Sequence, residues 1–505
     1  MNCAERLVAL FGSQAEAARR LKIDRALVSN WVKSGSVPAR WAMEIEALSG
    51  GEIQAVEVLN EAQQRRPIRV KSRGDDDSPV RFSTLGADSM NPFAPAKRIH
   101  SFHPPQRTLM GPGPTEIHPR VLTTMSQPAI GYLDPVFVDM MEELKSLLRY
   151  AYQTKNALTF PISGPGSVGM EFCFVNMVSP GDKVIVARNG VFGGRMIENV
   201  ERCGGTAVVV DHEWGEPVDP QKVEDAFRKN PDVRLLAFVH AETSTGALSD
   251  AKTLVQLAHK YDALAIVDAV TSLGGCTVKV DEWEIDAIYS ASQKCLSCTP
   301  GLSPVSFSAR VVDHVKARKD KIHSWFMDMN LLLGYWGETT RTYHHTAPTN
   351  SLFALHEALL LIREEGLEAC WARHHRHHVA LKAGLEAMGL KFLVQEQFQV
   401  PQMNAVRCAE GVDEAAVRKT LLSEFGIEIG AGLGPLAGKI WRFGLMGYSC
   451  RPDNVMLCLS ALGSVLEDMG YPVHVGDAEG AAHGAYAQMH ANEAQAKKKR
   501  VARAA

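Results

Sequence analysis

Residues 289–308 read YSASQKCLSCTPGLSPVSFS and set one lysine, Lys294, between a short apolar strand and a Cys/Thr/Pro/Gly turn. A strand end near an interior seldom carries a long cation without a use for it; the alternative is a lysine whose stem lies along the fold and whose amine reaches solvent. Upstream, ALAIVDAVTSLGG (263–275) closes a nearly all-apolar strand with Asp268. A carboxylate at the carboxyl end of a buried parallel strand sits where open α/β sheets bind ligands; a helix-capping Asp is the other reading. Further upstream, FPISGPGSVGMEFCFVNMV (160–178) runs a Gly-rich loop into an apolar helix. That arrangement offers backbone N–H groups and a positive helix end to a phosphate.

The surroundings fit an α/β chain. From about residue 105 to 470, short β-branched runs (KVIVARN, TAVVVDH, VRLLAFVHAE, ALAIVDAV, DAIYSAS, SPVSFS) alternate with amphipathic segments. This rhythm predicts crossover connections and a mainly parallel sheet. After Pro348 the pattern turns helix-rich and is followed by strand candidates VPQMNAVRC and KIWRFGLMG, which predicts a smaller α/β domain. We divide the chain into a helical module (1–62), a polar linker (63–104), a large domain (105–365), a small domain (366–475) and a disordered basic tail (476–505) ending QAKKKRVARAA. With 505 residues, 46% hydrophobic and 22% charged, it is an ordinary globular composition with more than one core. A net charge of −3 leaves no overall field for nucleic acid or membrane surfaces, so any such binding must be local. Ten irregularly spaced Cys read as buried or incidental thiols in a reducing compartment. No apolar run reaches the roughly 18 residues of a membrane span, and the reading is cytoplasmic.

A phosphate loop, then an Asp, then a Lys form the set that pyridoxal 5′-phosphate requires. Lys294 can form the Schiff base, Asp268 can keep the pyridinium nitrogen protonated, and the loop can hold the phosphate. With these pieces LMGPGPTEIHPRVL (109–122), ARNGVFGGR (187–195), HAETSTG (240–246), TYHHTAPTNSLFAL (342–355) and GLGPLAGKIWRFGLMG (432–447) are in order along the chain. From Leu109 to Gly470 the sequence therefore resembles the class V aminotransferases of the alanine-glyoxylate and serine-glyoxylate (serine-pyruvate) type. The resemblance implies fold type I, with a mainly parallel seven-stranded large domain and a smaller C-terminal domain. It implies ping-pong transamination between alanine or serine and glyoxylate or pyruvate. In its terms Lys294 is the Schiff-base lysine and proton shuttle, Asp268 holds the pyridine nitrogen, Val270 lies beneath the ring and Phe192 stacks on it. Gly166, Ser167 and Gln293 contact the phosphate and Thr243 the phenolic oxygen. Tyr343 and Thr346 complete the neighbouring site in a homodimer, and Arg442 clamps the substrate carboxylate with its planar fork. Pro165 departs from the small residues usual there and removes one backbone donor.

Two other features are weighed. RHHRHH (373–378) sets His374 and His378 four apart, as a metal pair would be, but the relatives have a solvent-facing helix there, and no metal is assigned. Cys295 and Cys298 read as small residues in a tight turn. At the N-terminus, SQAEAARRLKIDRALVSNWVKSGSVPARWAMEIEALSGG (13–51) resembles the helix-turn-helix of phage Cro and repressor proteins. It has Ala17 and Leu21 on the first helix, a turn at Lys22 to Asp24, and Val28 and Trp31 inward on the second. Arg25, Ala26, Ser29, Asn30 and Lys33 would then face outward, toward a major groove if DNA binds. Seven Lys+Arg against five Asp+Glu in residues 1–50 is a thin footprint. The alternatives are a helical module that no longer binds DNA, or a translated stretch upstream of the true start, since Met90 opens what looks like a normal family N-terminus. Two functions follow: an aminotransferase with an appended helix-turn-helix, or a transcription regulator that uses the aminotransferase fold as an effector sensor.

Overall fold

The computed structural model describes residues 2–34, 37, 41–50, 52–54, 57, 101–337, 341–474 and 476–504. It separates into two units, Met1–Phe102 and His103–Ala505. Most of the 63–104 linker, Met90 included, lies outside the described residues.

In the first unit α1 (Cys3–Phe11), α2 (Gln14–Leu21), α3 (Arg25–Ser34) and α4 (Ala42–Leu48) surround a small core of Leu7, Ala17, Leu21, Val28, Trp31 and Ile45. Asn2 and Glu5 form a reciprocal capping box on α1, and Ser13 caps α2 through the Glu16 N–H. Lys22, in the left-handed region at φ 56°, closes α2 and turns the chain toward α3.

In the second unit a seven-stranded sheet forms from β1 (Leu158–Ser163), β2 (Lys183–Arg188), β3 (Thr206–Asp211), β4 (Leu235–Val239), β5 (Leu264–Asp268), β6 (Ala287–Tyr289) and β7 (Leu302–Phe307). Their spatial order is β1-β7-β6-β5-β4-β2-β3. Only β7 runs antiparallel to its neighbours. The central strands are buried along their whole length, because helices cover both faces. Their apolar side chains join those of the flanking helices in one large core. All parallel strands end at one edge, and the register there sets Val239 and Tyr289 on either side of Asp268. The loops leaving that edge carry Gly164–Ser167, Asn189–Phe192, His240–Ser249 and Ser290–Lys294.

The small domain has its own core and a sheet in which β8 (Met403–Arg407) and β9 (Gly430–Ala431) flank β10 (Ile440–Gly444). The long helices α5 (Thr349–Glu365) and α6 (Leu367–Ala387) lead into it. Two expectations are corrected here. Residues 477–504, expected as disordered tail, form a helix, Asp477–Ala504, whose first turns dock on α6. Ala478 and Ala482 are buried there, and the Tyr486 hydroxyl meets His377 Nδ1 at 2.7 Å. The His-rich stretch is likewise not solvent-facing: His374, His377 and His378 are buried. The small domain packs over that face, and the ring nitrogens bond within the fold. His374 meets the Cys370 carbonyl and accepts from the Gly447 N–H, and His378 meets Asn404. Burial holds all three well below the usual histidine range. No helix of the described residues is long and apolar enough to cross a membrane.

Candidate active site

Lys294 lies on the loop that leaves β6, with its amine bonded to the Pro112 carbonyl. Burial pulls that amine down to about 8, and the nearby Arg442 cation adds to the shift. Gly113, at φ 107°, lets the chain 112–114 pass so close that a Cβ there would lie 2.8 Å from Lys294 Nζ.

One strand over, Asp268 is buried at the end of β5. Its Oδ1 accepts from the Val270 N–H at 2.8 Å and its Oδ2 from the Tyr289 hydroxyl at 2.7 Å. Burial pushes the carboxyl up to about 7, against the pull of those two donors and of Lys294. Tyr289 was not singled out from the sequence; only the β5-β6 register brings it to Asp268.

The helix Gly166–Met177 starts at the same edge. Its N-cap is Pro165, with no side-chain cap, so the first N–H groups, those of Gly166 and Ser167 among them, have no cap partner. Pro165 precedes those donors and instead accepts from the Val168 N–H, so its missing N–H leaves them intact. A Cβ on Gly166 would lie 2.9 Å from Ala291 Cβ and 3.2 Å from Val270 Cγ2, so helix end, Val270 loop and lysine loop converge. Gln293 holds a buried Oε1 with no hydrogen-bond partner. An uncapped helix end, an unpartnered amide oxygen, a buried acid and a weakly basic lysine make a donor set that fits pyridoxal phosphate.

Thr243 is buried, and its hydroxyl meets that of Thr271. Its carbonyl accepts from Arg442 Nη1 at 3.0 Å, while Arg442 Nε donates to the Ala431 carbonyl at 2.7 Å. The guanidinium is thus held by backbone at the middle of β10, where Ala405 and Gly430 flank it. Burial lowers its pKa to about 10, opposed by Glu242. Phe192, half-buried on the helix Val191–Arg202, has the Arg195 guanidinium 4.8 Å from its ring centroid. The structure thus brings Lys294, Asp268, Val270, Gly166, Gln293, Thr243 and Arg442 to one edge, with Ser167 and Phe192 on the flanking helices. Tyr343 and Thr346 do not join them within one chain: both are exposed, Tyr343 by 57%. Their neighbour His345 reaches Ser163 at 3.3 Å, beside the Gly164–Ser167 loop. Cys295 and Cys298 are buried thiols raised by burial and aimed at Thr271 and Thr299.

A mainly parallel sheet with a buried lysine, a strand-end carboxyl and an uncapped helix at one edge defines the class of fold-type I pyridoxal-phosphate transferases. Within it, the chain belongs to the class V aminotransferases, whose family model matches residues 113–451. It is 42% identical over 382 residues to the (S)-ureidoglycine–glyoxylate transaminase of Bacillus subtilis, covering 72% of this chain and 91% of that one. It is 38% identical over 366 residues to the alanine–glyoxylate aminotransferase of Mus musculus, covering 72% and 88%. The crystal structure of an alanine–glyoxylate aminotransferase from Nostoc sp. superposes with a TM-score of 0.72 at 43% identity, over 73% of this chain and 98% of that one. Residues 5–66 match the model of a second family, described as bacterial toxin YdaS.

Proposed function

We propose that this aminotransferase moves the amino group of a small amino acid, alanine or serine, to glyoxylate or pyruvate. The observation that carries the reading is the backbone-held Arg442, near enough to the Lys294 amine to depress its pKa. A carboxylate on Arg442 would bring the adjoining Cα to the buried Lys294 amine, whose lowered pKa suits it to take the proton. Pyridoxal phosphate, when bound, supplies an aldehyde for amines and a ring that takes up the electrons freed at Cα. Lys294 binds the cofactor covalently and, once freed, carries the proton. Asp268 is the counter-charge for the ring nitrogen, with Val270 and Phe192 on its two faces. Gly166, Ser167 and Gln293 hold the phosphate and Thr243 the phenolic oxygen. In a homodimer, Tyr343 and Thr346 of each protomer complete the phosphate site of its partner. A panel of donors (alanine, serine, (S)-ureidoglycine) against acceptors (glyoxylate, pyruvate) should give turnover with parallel-line, ping-pong kinetics. Absence of turnover with every pair would overturn the reading. Hybrid dimers of inactive Lys294→Ala and Tyr343→Ala protomers should regain activity; a fully active monomer refutes the sharing.

For the N-terminal module we propose DNA binding through Arg25, Ser29, Asn30 and Lys33. Val28 and Trp31 of α3 are buried, while Arg25, Asn30 and Lys33 are exposed and Ser29 is half-buried between them. A selection on random DNA should enrich an inverted repeat with half-sites about one helical turn apart, and Asn30→Ala with Lys33→Ala should weaken binding. A chain starting at Met90 should keep its transamination rate. Enrichment of no sequence at low salt, with that rate kept, would make the module a passenger. Nine cysteines buried in the fold and a tenth half-buried, with no disulfide among the described residues, support a reducing compartment, the cytoplasm.

A further inference from the structure

We propose that Glu242 is a positioning residue for Phe192: with Ser244 it closes the first turn of the helix Val191–Arg202 and so fixes where the aromatic side chain stands. The inference rests on the assignment of Phe192 to the cofactor ring.

That helix cannot cap itself. Its N-cap is Gly190, which has no side chain to accept the orphan N–H groups of the first turn. No other residue fits there: a Cβ on Gly190 would lie 2.4 Å from Glu242 Cδ and 2.5 Å from Ser244 Oγ. The missing acceptors come instead from residues some fifty positions later. The Val191 N–H donates to Ser244 Oγ at 3.1 Å, and that hydroxyl in turn donates to Glu242 Oε1 at 2.6 Å. The Ser244 N–H donates to the same oxygen at 3.0 Å. The N–H groups of Phe192 and Gly193 lie near enough to lower the carboxyl's pKa against the upward push of complete burial, while its buried Oε2 has no hydrogen-bond partner among the described residues. One first-turn donor, the Val191 N–H, is therefore bonded through Ser244 to the fully buried acid, and the next two lie near it. Phe192, the second residue of the turn, has its backbone inside that cluster. A negative charge at this end also suits the helix dipole.

Glu242 has a competing use, as counter-charge for Arg442, and the experiment separates the two. Cofactor-free Glu242→Ala, Glu242→Gln, Ser244→Ala, Phe192→Ala and the double variant Glu242→Ala/Phe192→Ala are titrated with pyridoxal phosphate. Amide hydrogen exchange is followed over residues 189–196. Glu242→Ala should speed exchange at 191–193 about ten-fold, the scale of a lost cap, and weaken cofactor binding about five-fold. Glu242→Gln keeps an acceptor oxygen and should recover part of both effects. Ser244→Ala should reproduce the exchange change at Val191 and serves if Glu242→Ala does not fold. In the Phe192→Ala background the Glu242 change should add nothing to the loss of cofactor affinity. Unaltered exchange in both cap variants would overturn the cap. Multiplicative losses in the double variant, or a rise in substrate KM with cofactor affinity unchanged, would return Glu242 to Arg442 and overturn the proposal. Phe192→Ala with unchanged affinity would refute the reading of Phe192 and this inference with it.

Discussion

Replacing Asp268 with Asn in the cofactor-free protein should change how stability depends on pH, in a direction the buried geometry dictates. Burial raises the carboxyl from an ordinary value of 3.8 to about 7. Between those values the unfolded chain loses its proton while the folded chain keeps it, so the folded form binds more protons and stability falls as pH rises. A gap of roughly 3 pH units at 1.36 kcal/mol each is about 4 kcal/mol, present below pH 4 and lost by pH 7. Asn keeps the shape, accepts from the Val270 N–H, donates to the Tyr289 oxygen and does not titrate. For the 103–505 unit, with an unfolding entropy on the order of 0.8 kcal/mol/K, 4 kcal/mol corresponds to about 5 °C. Because about 1 kcal/mol of this is already lost at pH 4.5, calorimetric Tm of Asp268→Asn minus that of the parent should rise by about 4 °C between pH 4.5 and 8.5. The buried histidines titrate alike in both proteins and cancel. Loading pyridoxal phosphate into the parent should erase the slope, because a cation beside the carboxyl favours its charged form. A flat difference in the cofactor-free proteins would refute the reasoning, since Asp268 would then be ionised throughout.

Lys294→Ala should keep the fold but lose the cofactor adduct that borohydride fixes to the chain; a reducible adduct of unchanged yield would move the attachment to another lysine. Arg442→Lys should raise KM for both donor and acceptor about ten-fold or more, since both present the same carboxylate and the Nε bond to Ala431 is lost; equal KM values would place the clamp elsewhere. Removing residues 477–505 should lower the Tm of the aminotransferase unit by several degrees, because the seam of Ala478, Ala482 and Tyr486 leaves α6. An unchanged Tm would mean that the helix contributes no stability.

The parallel strands were legible because burial on both faces demands uninterrupted β-branched runs, and KVIVAR, LLAFV and LAIVD are such runs. Strand order and the reversal of β7 were not, because neither leaves a mark on composition. The C-terminal helix escaped for a different reason. Its docked residues are alanines at helical spacing, and Gly384 of α6 lets the backbones meet so closely that a Cβ there would lie 3.0 Å from the Ala478 carbonyl. A seam of such small side chains is too weakly apolar to show as a hydrophobic period. The buried histidines were misread likewise, since a ring satisfied by Gly447 and Asn404 looks in sequence like a polar surface residue.

Within the site, what could be read was the chemistry of side chains, and what could not was the work of backbone and register. Lys294 and Asp268 stand out because a long cation or a carboxylate at a strand end needs a reason, whereas Arg442 was named only through the family resemblance. Tyr289 reads as an ordinary strand aromatic until register sets it against Asp268. The segment 240–246 makes the same point more fully. Thr243 was named for a contact to the phenolic oxygen, yet its carbonyl holds Arg442, and the flanking Glu242 and Ser244 reach back to the helix that carries Phe192. Arg442 on the small domain and Phe192 on the large one are therefore tied to three consecutive residues. A shift of this segment moves both, so substitutions here should alter cofactor and substrate affinity together, even where the changed side chain touches neither.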